Sequence, residues 1–189
     1  MIRIGILGDI GSGKSYVAKE FGYPVFNADI EVSKIYKKNE IIYNKLKKQL
    51  PKYIHSFPID KKEISNSILD NTNTLKKIVK IIHQEIRKKL NTFLKKNKKK
   101  KLVILDIPLL LENKINRKKD ILVFVHSKKS DIYRRLKERD SFSKKLWIKF
   151  KIIQLSLDFK KQKSQFIIKN NFTKKSVKKD IEKILKEIL

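Results

Sequence analysis

The 189-residue chain has no cysteine, one methionine, one tryptophan, four prolines and five glycines. Without cysteine neither a disulfide framework nor a thiolate zinc site can form, so stability must come from a packed core. Alanine occurs only at Ala18 and Ala28. No apolar run approaches the roughly 18 residues that a membrane-spanning helix needs. The longest, Leu102 to Leu111, is interrupted by Asp106, and the first residues lead into a loop of glycine and lysine where a signal peptide would need an apolar stretch. These absences predict a soluble, cytoplasmic protein with no membrane partner. Acidic residues are scarce as well: 19 stand against 48 basic ones, a net charge of +29. Such an excess raises nucleic acid or an acidic surface as a partner. Only six of the basic residues are arginine, however, and the lysines come with abundant isoleucine and asparagine, the mark of A/T-rich coding. Lysine is then the default solvated residue, and no specific nucleic acid is expected.

Hydrophobic residues make up 40% and aromatics 9% of the chain, enough apolar material for a core at a length that suits one domain. Ile2 to Leu7, Val25-Phe26, Leu102 to Leu105, Ile121 to Val125 and Phe166 to Ile168 are short apolar runs that predict strands, and the continuous ones predict burial on both faces of a parallel sheet. Helices are expected at Lys14 to Phe21, across much of 29–97, at Ser130 to Glu138 with Ser130 or Asp131 as cap, at Ser143 to Phe159, and from about Ser176 to Leu189. Within the helical stretch Leu75, Ile78, Val79, Ile82, Ile86, Leu90 and Phe93 recur at three- and four-residue steps, which predicts one long amphipathic helix with shorter ones before it. Alternating strands and helices predict an α/β fold with an open parallel sheet of about five strands. The lysine-rich stretch Lys95 to Lys101 reads as an exposed helix end and turn.

Gly8-Asp9-Ile10-Gly11-Ser12-Gly13-Lys14-Ser15 fits G-x-x-x-x-G-K-[ST], directly after a predicted strand and before a predicted helix. The glycines let the backbone turn tightly and aim several N–H groups at a phosphate. Lys14 reaches the β/γ-phosphates in such a loop, and the Ser15 hydroxyl ligates magnesium. ATP as co-substrate and Mg2+ follow as expectations, with Asp9 to Tyr16 as the ATP-binding segment. The loop identifies the phosphate donor and not the reaction, because small-molecule kinases and nucleic-acid-binding NTPases share it.

From Ile4 to Ser15 the sequence resembles the opening of the dephospho-CoA kinases, and further segments match in order. Pro24-Val25-Phe26-Asn27-Ala28-Asp29 resembles the family's Pro-Val-Ile-Asp-Ala-Asp, and His83-Gln84-Glu85-Ile86-Arg87 its His-Pro-x-Ile-Arg. Asp106-Ile107-Pro108-Leu109-Leu110-Leu111-Glu112 resembles Asp-x-Pro-Leu-Leu-Phe-Glu, and Arg135-Leu136-Lys137-Glu138-Arg139-Asp140 resembles Arg-Leu-x-x-Arg-Asp. Asp9, Asn27, Gln84 and Phe150 depart from the family pattern. The resemblance implies ATP-dependent phosphorylation of the ribose 3′-hydroxyl of dephospho-CoA, which gives CoA and ADP and is the last step of coenzyme A biosynthesis. It also implies a single P-loop kinase domain over 1–189, with a helical substrate subdomain near 30–95 and a helical lid near 140–160. Another small nucleotide or nucleoside kinase, or a P-loop nucleic-acid-binding NTPase, is the alternative.

The resemblance implies Lys14, Asp29 and Arg139 as catalytic residues, with Asp29 orienting or deprotonating the acceptor hydroxyl; a cap for the helix that follows is the other role open to it. Arg135 and Arg139 are implied at ATP, where a planar guanidinium gives bidentate or stacking contact that lysine cannot reproduce. Asp29, His83, Arg87, Asp106, Pro108 and Leu109 are implied at the acceptor. Ser15 is implied at the metal, with Asp106 acting through water or simply accepting hydrogen bonds from the turn at Pro108. Glu112 is expected to cap or pair nearby, and Trp147 to pack.

Overall fold

The computed structural model describes residues 1–139 and 142–189. Asp140, which ends the second arginine segment and opens the stretch expected as a lid, lies outside the described residues. The chain forms two compact units, one of residues 1–27, 93–142 and 155–189 and the other of residues 28–92 and 143–154.

The first unit is built on a five-stranded sheet of β1 (Ile2–Gly8), β2 (Val25–Asn27), β3 (Leu102–Asp106), β4 (Ile121–His126) and β5 (Phe166–Lys169), in the order β2-β3-β1-β4-β5 with every pairing parallel. The continuous apolar runs are the reason: β3 is buried at every residue and β4 at its middle four, as strands covered on both faces must be. Ile4, Ile6, Leu102, Ile104, Val123, Val125 and Ile168 share one core with Val17 and Ala18 of α1 (Lys14–Glu20), with Phe21 just after it, and with residues of the C-terminal helix Lys174–Ile188. Each fully buried aliphatic side chain there contributes about 1.5–3 kcal/mol.

The second unit is helical. It contains α2 (Ala28–Lys38), α3 (Glu40–Gln49), α4 (Lys61–Asp70) and most of α5 (Thr72–Lys96). Asn39 caps α3 by accepting from Ile42 N, and Asp60 caps α4 by accepting from Lys62 N. On α5 the buried apolar residues are Leu75, Ile78, Ile82, Ile86, Leu90 and Leu94, so five of the seven predicted stripe residues are buried, with Val79 and Phe93 half-buried.

Two expectations are corrected. The helix expected from Ser130 is α6 (Lys129–Lys137), which follows Lys128 and has no side-chain cap; Ser130 and Asp131 lie inside its first turn. The single helix expected over 143–159 is two, α7 (Lys144–Ile152) and α8 (Leu157–Gln162), followed by the C-terminal helix α9 (Lys174–Ile188). Ser143 accepts from Leu146 N and Ser156 from Phe159 N, so each serine starts its own helix. Of these, α7 belongs to the helical unit and α8 to the sheet unit. Among the described residues no helix is long and apolar enough to cross a membrane.

Candidate active site

The phosphate loop joins β1 to α1. At Gly13 the backbone is left-handed, φ 86° and ψ 23°, and a Cβ would run into the side-chain amide of Asn170, so glycine is required twice over. At Gly8, φ 147°, a Cβ would stand 2.7 Å from the Val125 carbonyl oxygen. The turn is closed by Ser12 N donating to Asp9 O at 3.1 Å, while the Asp9 carboxylate accepts from Ile10 N at 2.7 Å. Lys14 Nζ donates to the carbonyls of Asp9 (2.8 Å) and Gly8 (3.3 Å), which keeps the ammonium at the loop that a phosphate would occupy. Ser15 and Tyr16 are exposed on the first turn of α1, a turn without an acidic residue.

Ser12 is fully buried, and its carbonyl accepts from Ser127 Oγ at 3.0 Å and Asn170 Nδ2 at 2.9 Å. Ser127 follows β4 and Asn170 follows β5, so two strand ends hold the loop from beneath. Asn170 also donates from its backbone N to His126 O (2.8 Å) and accepts from Phe172 N (2.9 Å). On the turn so held, the Phe172 ring lies under the Arg135 guanidinium, 4.3 Å from its carbon to the ring centroid.

At the end of β3, Asp106 is buried, and Asn27 Nδ2 donates to its Oδ2 at 2.6 Å. This carboxylate oxygen is thus held by a residue of the neighbouring strand. Pro108 and Leu109 are half-buried in that turn, which Leu110 N to Ile107 O and Asn113 N to Leu109 O hold at 3.1 Å each. Farther along, Glu112 is paired in the interior with Lys160 of α8 at 2.8 Å and accepts from Leu155 N at 3.0 Å. Arg139 is exposed just beyond α6, and Arg134 pairs on the surface with Asp131 at 3.2 Å.

In the helical unit Asp29 is exposed in the first turn of α2. Because α2 begins at Ala28, Asp29 is inside the helix and is not the residue that caps it. On α5, Arg87 Nε donates to His83 Nε2 at 3.2 Å, one turn apart. That bond makes His83 Nε2 the acceptor, the neutral form of the ring. Partial burial, and then the nearby Arg87 charge, hold the His83 pKa below its ordinary value. Trp147 has the Lys151 ammonium 4.1 Å above its ring centroid.

The loop residues Asp9 to Tyr16, Asp106, Pro108, Leu109, Arg135 and Arg139 thus belong to the sheet unit, and Asp29, His83 and Arg87 to the helical unit. Sequence reading missed Ser127, Asn170 and Phe172. The available signal was a polar residue directly after each of two apolar strands, the end at which open parallel sheets present ligands.

The model of the dephospho-CoA kinase family matches residues 2–176. A dephospho-CoA kinase of Wolbachia pipientis wMel is 35% identical over 187 residues, 96% of this chain and 95% of its own length. Among solved structures, a Thermus thermophilus protein superposes over 100% of this chain and 98% of its own with a TM-score of 0.80 and 25% identity. A dephospho-CoA kinase from Campylobacter jejuni covers 98% and 96% at 0.62 and 22%, a likeness of fold.

Proposed function

The chain belongs to the dephospho-CoA kinase family and is an ATP-dependent kinase of dephospho-CoA, and from that premise we propose how its own residues divide the work. The loop Asp9 to Tyr16 takes the triphosphate of ATP: backbone N–H groups of the glycine-rich turn meet the phosphates, and Lys14 adds a point charge to the phosphoryl group in flight. Arg135 contacts the nucleotide, and Arg139 spreads its guanidinium over the charge that develops on the transferred group. Asp29 accepts the proton of the ribose 3′-hydroxyl as its oxygen bonds to the γ-phosphorus and the bond to the ADP oxygen breaks. His83 and Arg87 bind the anionic acceptor, with Asp106, Pro108 and Leu109 at the end of β3 completing its contacts.

The donor set suits Mg2+. Ser15 and Asp106 offer hard oxygen ligands, and the Asn27 bond fixes one carboxylate oxygen of Asp106, leaving the group oriented by the fold. Ser15 would hold the ion directly and Asp106 through a water; when bound, Mg2+ supplies charge neutralisation across the β- and γ-phosphates. Closure of the expected lid over ATP would exclude water from the transferring phosphate. The cysteine-free composition supports a reducing, cytoplasmic setting.

The observation that carries this division is Lys14 held by the carbonyls of Gly8 and Asp9 in a loop braced by Ser127 and Asn170. Asp29→Asn tests it at the acceptor. The change is nearly isosteric in an exposed helical turn, so thermal unfolding should be little altered. Single-turnover transfer at saturating ATP and dephospho-CoA should slow about 100-fold or more, the range for loss of a general base. A folded variant within about threefold of the parent contradicts the role, since that ratio is well under 1 kcal/mol of barrier.

A further inference from the structure

Glu112 stands in the turn after β3, held on either side by Asn113 N donating to Leu109 O at 3.1 Å and Lys114 N donating to Leu111 O at 3.0 Å. Its side chain is turned inward and 9% exposed, and one carboxylate oxygen, Oε1, takes two donors: Lys160 Nζ at 2.8 Å and Leu155 N at 3.0 Å. The two donors flank a helix start. Leu155 directly precedes Ser156, the cap of α8, and Lys160 is one turn into that helix, its own N donating to Ser156 O at 3.1 Å. The helix in turn packs against β1, the strand that leads into the phosphate loop. One carboxylate therefore grips the chain both before and after its turn into α8.

A buried charged pair is often no more stabilising than a well-packed apolar pair of similar volume. An apolar pair, however, offers no acceptor to Leu155 N. What distinguishes Leu155 is its place: residues 143–154 belong to the helical unit, and the chain returns to the sheet unit at 155. The helix before it, α7, is tied within its own unit, where Lys149 Nζ donates to Thr72 Oγ1 at the start of α5. Segments that close over a site turn on a few residues at their ends. A backbone hydrogen bond to a buried, turn-held carboxylate at this junction sets where the fixed end of the segment lies.

We infer that Glu112 is a positioning residue for phosphoryl transfer: through Leu155 N it fixes the end of the segment 143–154, so that the closed segment directs the γ-phosphoryl group to the acceptor hydroxyl and not to water. The inference rests on the reading of the stretch near 140–160 as a lid. In the competing step the oxygen of water bonds to the γ-phosphorus, the bond to the ADP oxygen breaks, and ADP, inorganic phosphate and a proton are released. Glu112 acts on this partition only through the chain it holds.

The test measures, in the full chain with Mg-ATP, the ratio of inorganic phosphate released to dephospho-CoA phosphorylated. Two double variants remove the buried charges together, Glu112→Gln with Lys160→Met and Glu112→Leu with Lys160→Met, and only the first keeps an acceptor for Leu155 N. The ratio should stay near that of the parent in the first and rise about tenfold in the second, the scale set by one hydrogen bond to a charged group. A purely structural role would move thermal unfolding and leave the ratio alone. Leu155→Pro removes the donor instead and keeps the buried pair, so it should raise the ratio equally; it decides the matter if the double variants fail to fold. Equal ratios in the two folded double variants, or a parent-like ratio in Leu155→Pro, overturn the role of Glu112. A parent protein that releases inorganic phosphate as fast as it phosphorylates dephospho-CoA overturns the lid reading itself and this inference with it.

Discussion

Asn27 and Asp106 end neighbouring parallel strands at the same register, and the asparagine amide donates to the carboxylate at 2.6 Å. The family pattern has an aspartate at this first position. Here a neutral donor stands against the buried Asp106 and removes a like-charge contact that two carboxylates would create.

Asn27→Ala should therefore cost about 1–3 kcal/mol, the penalty for leaving a buried acceptor short of a partner. Asn27→Asp should cost more. Urea unfolding of both variants reads this directly, and an alanine variant as stable as the parent would show that the hydrogen bond is incidental.

Lys14 donates to the carbonyls of Gly8 and Asp9 in its own loop and is half-buried outside the core, so its loss should affect catalysis more than folding. For Lys14→Ala the expected change is a loss of about 100-fold or more in kcat, on the order of 3 kcal/mol of barrier, with little change in Tm. Turnover near that of the parent would remove Lys14 from the reaction.

The pair between Glu112 and Lys160 is 2.8 Å long, with side chains 9% and 1% exposed. Lys160→Met strands an interior carboxylate and should cost about 3–5 kcal/mol, whereas the double variant with Glu112→Leu should recover most of that loss. A double-mutant cycle in urea measures the coupling. Additive single losses would mean the two charges do not depend on one another.

His83 should titrate below its ordinary value of 6.5, because partial burial and the Arg87 charge both disfavour the cation. The unfolded chain then binds this proton more tightly than the folded one. The stabilising contribution is complete above about 6.5 and is lost as pH falls through the lowered folded value. An NMR titration of the His83 ring should show a midpoint below 6.5 that rises in Arg87→Gln but stays depressed by burial. A midpoint at or above the ordinary value would contradict both causes.

Much of this fold is legible in the sequence. All five strands are visible as short apolar runs, most clearly β3 and β4 where the run is unbroken, and the phosphate loop because glycine, lysine and serine have fixed duties there. The break between α7 and α8 was hidden because Ile152, Ile153 and Leu155 continue an apolar pattern through it, and Ser143 and Ser156 act as caps only once the chain has turned. Lys160 could not be picked out from the many solvated lysines, since its burial depends on a glutamate in a distant segment. Asn27 and Asp106 lie 79 residues apart, and only the strand order brings them together. The left-handed backbone of Phe172 has no sequence signal, because backbone dihedrals leave no trace in composition.

The most direct measurement offers the purified protein Mg-ATP with dephospho-CoA, AMP, CMP or a nucleoside in separate reactions and identifies each product by mass. Dephospho-CoA should gain one phosphoryl group, at its ribose 3′-hydroxyl, faster than any other acceptor. Faster phosphorylation of AMP, CMP or the nucleoside, with dephospho-CoA inert, would contradict the assignment.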